Sequence, residues 1–395
     1  MWFIFRLCRK MNHLFSCRCA SKRHVAKSYS SYQYSLMILN KIHKIIKHRR
    51  VLAALIFLIV VACFGDWIAH TPTEGQFALV PYSASTLDNK AYFLHPNLPK
   101  YLSLYNRHWL GTDAVGRDVT AGLIMGTRTA LLIGFGGMFL AFWVGVPIGL
   151  MSGFWGDDRL KRSIFSLILR GGIVFVLGFY FFIFLNFKLS ALNILIKLSF
   201  VTLCYLLVIK ILEFILNKIP ILNRELIIPF DLVVMRVLDI VQAVPLFLWV
   251  MSAVAVSGVH ELTPVSLIIL IGFTHWVIFA RLVRGEVMRI RSLEYMEAAV
   301  VLGVSEDQQM WRHALPNVLT PAIVALSFGI ANAILLEALL SFLGIGLPVE
   351  MVSWGTLLQS ARINFDAWWL AIFPGLAIFF TVYTFNRLGE LIAED

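Results

Sequence analysis

Charge is scarce in this sequence. Only 14% of the 395 residues are Asp, Glu, Lys or Arg, and 59% are hydrophobic, whereas about a quarter of an average soluble domain is charged. Too little polar surface is left to coat a water-soluble globule of this size, so the chain belongs in a bilayer. Cysteine is sparse too. Cys8, Cys17, Cys19, Cys63 and Cys204 form no CxxC pair, which argues against a disulfide framework or a zinc site. The GxxxxGK[ST] loop that cradles nucleotide phosphates is absent, as are HExxH and GxSxG. The chemistry those motifs serve has no visible seat here.

Acidic residues are missing altogether from residues 1–50, which hold twelve Lys/Arg. This tail accounts for the net charge of +11. No basic patch interleaved with aromatics occurs elsewhere, so nucleic acid is not an expected partner. A basic tail directly before an apolar span is the usual mark of a cytoplasmic N-terminus, and it would lie against anionic lipid headgroups. The run Val60-Val61-Ala62-Cys63 loosely resembles a lipoprotein cleavage site, but the basic region before it is far too long for a signal peptide. Met37 offers an alternative start with a shorter basic leader.

What is present is a series of apolar runs. A crossing helix needs about 20 mostly apolar residues, and such runs fall at 51–69, 128–154, 166–187, 191–209, 237–258, 264–280, 322–343 and 367–386. Lys197 interrupts the fourth. With the N-terminus inside, the inner connections carry 25 Lys/Arg and the outer ones 6, so both termini are expected to be cytoplasmic. The expected organisation is a basic tail (1–50), a first transmembrane helix (51–69), a periplasmic loop (70–127) and a transmembrane domain (128–395), in an all-α polytopic helix bundle.

The most informative stretch is 292–317, on the inner side. Residues 293–302 are good helix formers, and Gly303 is placed to end that helix in a left-handed cap. Ser305 suits an N-cap with Gln308 as its capping-box partner, and Pro316 is expected to end or kink the second helix. Two short helices at an angle suit mechanical docking. Ala298 and Ala299 let a partner approach closely, and Glu297 offers a charge. The plainer alternative is a helical connector lying on the bilayer.

Glu297-Ala298-Ala299, followed by Gly303 and Leu315-Pro316, resembles the EAA loop of permeases from binding-protein-dependent ABC importers. The flanking residues narrow the resemblance. Arg281-Leu282-Val283-Arg284-Gly285-Glu286-Val287 precedes the loop, and Arg312-His313-Ala314-Leu315-Pro316-Asn317 closes it. Glu337-Ala338-Leu339-Leu340-Ser341-Phe342-Leu343-Gly344 follows, and further matches lie at Leu110-Gly111-Thr112-Asp113-Ala114-Val115-Gly116-Arg117-Asp118, Ser353-Trp354-Gly355 and Phe373-Pro374-Gly375-Leu376. Together they look like the oligopeptide/dipeptide/nickel branch, specifically the second permease of the pair. His313 stands where the wider pattern often has isoleucine.

The resemblance implies a type I importer permease fold with about six core spans. It implies a homologous second permease and two cytoplasmic ATPase subunits, with the coupling loop 284–317 seated in an ATPase cleft through Glu297, Ala298, Ala299, Gly303, Leu315 and Pro316. It also implies an external substrate-binding protein that delivers peptides, nickel complexes or other small solutes. ATP and Mg would be used by the partners, and this chain itself would hold no cofactor, metal or catalytic residue. The bacterial inner membrane is the expected location. The apolar segment 159–232 departs from the pattern. Two extra helices there, a peripheral hairpin facing lipid, would preserve the side on which the loop emerges. The C-terminus is short.

Polar groups inside spans are costly, on the order of 2.5–3.5 kcal/mol for a charge at the centre. Glu337, with Asn332 five residues earlier, reads either as a pathway or gate group or as a carboxylate bonded within the bundle. Asp239, with Gln242, could line an entrance or face water at the interface. His275 reads as a packed, hydrogen-bonded histidine, with substrate contact the alternative. Gly137, Ala141, Gly145, Gly149 and Gly153 put small residues on one helical face, a packing surface within the subunit or toward its mate. Asp113 and Asp118 look like turn and cap residues in a segment that could receive the binding protein. Trp368 and Trp369 read as an interfacial belt. A polytopic intramembrane enzyme, the alternative from a different class, would need clustered His, Asp or Ser at one depth, and only scattered ones are seen. A stand-alone channel or scaffold would not need a coupling loop.

Overall fold

The computed structural model describes residues 48–69, 80, 108–157, 161–163, 225–227, 229–257, 262–348 and 351–394. The expected spans at 166–187 and 191–209, and nearly all of the basic tail 1–50, lie outside them. The chain divides into two units after Leu52. Of the first, only residues 48–52 are described; the bundle belongs to the second.

Ten helices and two short strands are described: α1 Arg49–Ile68, α2 Val119–Trp155, β1 Lys161–Ser163, β2 Glu225–Ile227, α3 Phe230–Ala243, α4 Leu246–Ser257, α5 Pro264–Arg291, α6 Glu294–Val301, α7 Glu306–Gln308, α8 Leu315–Leu343, α9 Trp354–Ala361 and α10 Trp369–Ala393. A π-helical turn, Gln309–Ala314, joins α7 to α8. Among the described residues five helical segments are long and apolar enough to cross a membrane, or six where the bent pair α3–α4 counts as one span. Large apolar side chains such as Phe135, Phe139, Trp143, Phe379 and Phe380 stay on their outer surfaces, the pattern of helices solvated by lipid.

Several expected boundaries move, each for a local reason. The span expected at 128–154 begins at Val119, because Asp118 caps it by accepting a hydrogen bond from the Ala121 N–H at 2.8 Å. The loop expected to run to 127 therefore ends earlier. The span expected at 237–258 is broken: α3 and α4 meet at 76°. Pro245 drives its predecessor Val244 into extended backbone (φ −89°, ψ 117°), as the residue before proline generally is. α5 continues past the expected 280 to Arg291. Pro316 does not end a helix. It stands directly after the π-helical turn Gln309–Ala314, at the start of α8, and one helical path runs from Glu306 to Leu343.

α2 and α5 lie side by side and parallel, and the small-residue face of α2 is the contact. A Cβ added at Gly137 would meet Ile271, one at Gly145 would sit 2.4 Å from the Trp276 carbonyl, one at Gly149 2.4 Å from that of Ala280, and one at Gly153 2.7 Å from that of Arg284. Ala141 is fully buried in the same row. Of the two readings of this stripe, the packing is within the subunit. α8 packs against α2 and α10, and a core containing Ile133, Met138, Leu150, Phe279, Val283, Ile330 and Ile334 fills the space between these helices.

The bundle is not purely helical. β1 and β2 form an antiparallel ladder pairing Lys161 with Ile227 and Ser163 with Glu225. It brings the two ends of the 159–232 insertion together, so the inserted segment leaves and re-enters the bundle at one place.

Candidate functional site

α5 ends at Ser292, whose N–H donates to the Arg289 carbonyl at 3.3 Å while the Leu293 N–H donates to that of Ile290 at 3.1 Å, and the chain turns into α6. α6 ends in a Schellman motif: the Gly303 N–H bonds the Val300 carbonyl at 2.9 Å, and the Val304 N–H bonds that of Ala299 at 3.1 Å. This closure needs a left-handed residue, and Gly303 takes φ +73°. Ser305 stands at the N-cap of α7 but makes no side-chain cap bond, so the expected capping box with Gln308 is absent. Gln309 stitches the corner instead, its Nε2 donating to the Val304 carbonyl at 2.7 Å. Asn317 Nδ2 donates to the Tyr295 hydroxyl at 3.2 Å and to the His313 carbonyl at 2.7 Å, tying α6 to the start of α8.

This elbow is seated on the core of the bundle. Met296, Met310 and Ala314 are buried with Val287 and Ile290 of α5. Ala299 belongs to that inner face, at 8% exposure, so of the expected docking residues it supports the elbow rather than meeting a partner. Glu297, Ala298 and Gly303 are exposed, and Leu315 is packed against the core. The tip carries a feature that small residues and charge did not suggest: Val300, Val301 and Leu302 are 58%, 86% and 81% exposed. Leu302 is the C-cap and Val301 the last helical residue. The turn into Gly303 therefore thrusts them outward, which a helical-face count through 302 does not reveal.

Three polar contacts bind the elbow's lever, α5, to its neighbours. Arg284 forms a two-pronged ion pair with Asp231 at the start of α3, and Ser152 of α2 donates to the same carboxylate. Asp231 is buried and Arg284 partly so. Arg281 reaches Asp239 at 2.6 Å and also Gln242, and Arg291 donates to the Gly153 carbonyl at 3.1 Å. Asp239 is thus a half-exposed ion-pair partner at the elbow end of the bundle. The insertion is anchored at this same place: the Asp231 N–H points to the Gly156 carbonyl, and the Leu232 N–H bonds Asp157 Oδ1 at 2.9 Å.

The remaining expected pathway residues do not gather in one lumen. Glu337 is fully buried and accepts from Ser341 Oγ at 2.9 Å. Asn332 is exposed on another face of α8. His275 is half-buried, its Nδ1 3.1 Å from the Ile271 carbonyl and 3.0 Å from Thr274 Oγ1, a histidine bonded within its own helix.

The end of the bundle opposite the elbow is closed by tryptophans. Trp354 Nε1 donates to the Leu123 carbonyl and Trp369 Nε1 to that of Thr112, both at 3.0 Å. Trp369 is 1% exposed, so it clasps the Leu110–Asp118 loop and takes no part in an interfacial belt; Trp368 remains exposed. In that loop Asp113 Oδ1 accepts from the N–H groups of Val115 and Arg117. Burial pushes its carboxyl above the usual range, against the pull of those bonds and of the Arg117 charge.

Residues 228–394 match the family described as binding-protein-dependent transport system inner membrane component. A protein of Brucella suis, named provisionally as a peptide transport system permease protein, is 40% identical over 162 residues, covering 41% of this chain and 54% of that protein. The chain thus spans about half the length of this relative. The glutathione transport system permease protein of Pectobacterium atrosepticum is 26% identical over 86% of this chain and 83% of its own. The oligopeptide transport system permease protein of Haemophilus influenzae is 26% identical over 86% and 82%. The matched region holds α3–α10 and with them the whole elbow. The fold of this multi-pass helical domain is that of the type I importer permeases.

Proposed function

We propose that this chain is one of two permease subunits of an ATP-driven importer, and that it moves peptides delivered by an external binding protein across the bacterial inner membrane. A single observation carries the reading: a core-supported elbow that displays apolar side chains at its tip and is carried on α5, which ion pairs tie to α3. An elbow of that build has a use only if something outside the chain pushes on it. In this reading the pusher is a pair of cytoplasmic ATPase subunits, which bind ATP and Mg and hydrolyse the nucleotide. Glu297, Ala298, Val301 and Leu302 meet one of them, and Gly303 shapes the turn that presents them.

Closure of the ATPase pair tilts the elbow, and α5 carries the tilt to α2 through the glycine row and to α3 through Arg284 and Arg281. α8, continuous with the elbow's second arm, moves with it. Two arms of one elbow thereby drive two helices of the bundle, as alternating access requires. Both termini and the elbow lie on the cytoplasmic side, and a homologous permease forms the other half of the channel.

The test is to express the chain with its neighbouring subunits, purify by a tag on this chain, and assay uptake into proteoliposomes. Co-purification of an ATPase and ATP-dependent peptide uptake support the reading. An assembly that takes up nickel complexes but no peptide overturns the substrate, and a chain that recruits no ATPase overturns the function.

A further inference from the structure

At the end of the bundle away from the elbow, a cleft of about 470 Å³ opens between the Leu110–Asp118 loop and α9, within the range of small-molecule sites. Its walls bring together Asp113 and Arg117 from the loop and Thr356, Gln359, Ser360 and Arg362 from α9 and its C-cap. The acid among them is already engaged, since Asp113 Oδ1 is held by two N–H groups of its own loop.

Arg362 is placed differently. Its guanidinium lies over the Phe342 ring, 5.4 Å from the centroid, and Nη1 donates to the Phe342 carbonyl at 3.2 Å. These contacts fix the group at the last turn of α8 yet supply no counter-charge. Arg128, Arg236, Arg281, Arg284, Arg289 and Arg387 each have a carboxylate partner. Among the described residues the exposed Arg362 has none, and neither has Arg312 of the elbow; Arg362 differs in lining a cleft.

We infer that this cleft is a carboxylate-binding site, with Arg362 making the ion pair and the amide of Gln359 donating beside it; the Thr356 and Ser360 hydroxyls line the wall but give their protons to the Ser353 and Thr356 carbonyls. A planar guanidinium stacked on a ring is preorganised for two-pronged carboxylate recognition. The inference rests on the importer reading, which puts the cleft on the face where solute arrives. Two sources present this group there: the free C-terminus of an incoming peptide, and an Asp or Glu side chain of the binding protein.

The experiment uses the complete complex in proteoliposomes with saturating ATP, comparing wild type, Arg362→Ala and Arg362→Lys. Each is assayed with one peptide as the free acid and as its C-terminal amide, and with the binding protein titrated. Arg362→Ala is expected to raise the KM for uptake about 10-fold with little change in kcat, and Arg362→Lys to recover part of the loss. A rise confined to the free-acid peptide identifies the peptide terminus as the ligand. An equal loss for both peptides, with more binding protein needed for half-maximal uptake, identifies the binding protein's acid. Arg362→Ala kinetics equal to wild type with both peptides overturn the site alone. A wild-type complex that takes up neither peptide overturns the importer reading and the site with it.

Discussion

Gly303 separates two explanations of the elbow that sequence alone leaves entangled. If glycine is there so that a partner can approach the backbone, any side chain is harmful in proportion to its size. If it is there for its backbone angle, the ability to take a left-handed conformation decides. The structure favours the second: φ is +73°, and a Cβ added at this position meets nothing within 4 Å. A left-handed conformation costs an ordinary L-residue about 1–2 kcal/mol, and Asn visits it more readily. Gly303→Ala should therefore weaken the Schellman closure by about 1–2 kcal/mol, loosening the turn that presents Val301 and Leu302. Gly303→Asn, although larger, should lose less, and Gly303→Val should lose most. The assay is peptide-stimulated ATP hydrolysis of the reconstituted complex, normalised to membrane-inserted chain. Activity falling in the order Gly, Asn, Ala, Val supports the backbone account. An Asn variant clearly worse than Ala would refute it and make Gly303 a contact residue.

The packing has consequences of its own. Gly149→Val places a side chain where 2.4 Å separates a Cβ from the Ala280 carbonyl. It should prise α2 from α5 and lower the amount of folded chain extracted in detergent, whereas Gly285→Ala, with open space around it, should not. Asp231→Asn leaves Arg284 without its anion and should lower thermal stability by about 2 kcal/mol, less than the 3–5 kcal/mol of a fully buried pair. The double change Asp231→Asn with Arg284→Gln should cost less than the sum of the single changes in a denaturation series. Trp369→Phe removes the bond to the Thr112 carbonyl and should cost about 1 kcal/mol, read as faster proteolysis near residue 112 with uptake largely kept.

Much of the architecture was legible because membrane spans announce themselves by length and apolarity, and because Gly303 and Asp118 are position-specific punctuation. The broken span was not, although Pro245 stood in plain view. A hydropathy window averages across a bend, and only the extended backbone forced on Val244 reveals that the helix stops. Pro316 misled in the opposite direction, since the π-helical turn Gln309–Ala314 leads the helical path into it and the proline stands within that path rather than at its end. Glu297-Ala298-Ala299 identified the elbow but not its outer face. Burial of Ala299 and exposure of Val301 and Leu302 depend on how α6 sits on Met296 and Met310, a tertiary fact that spacing does not encode. Likewise Trp369 carried the composition of an interfacial residue while its indole N–H was committed to a carbonyl 257 positions away. The Asp231–Arg284–Ser152 cluster joins residues from three separate helices, and no local pattern pairs them.

The central claim is that the elbow tip is the surface on which an ATPase pushes. In a chain with its native cysteines replaced, Leu302→Cys places a thiol on a side chain 81% exposed at that tip. The account predicts that a short bifunctional thiol reagent crosslinks this position to the ATPase subunit, that ATP changes the yield, and that a membrane-impermeant maleimide applied from outside intact cells leaves it unlabelled. Labelling from outside, with no crosslink to the ATPase under any nucleotide condition, would contradict it.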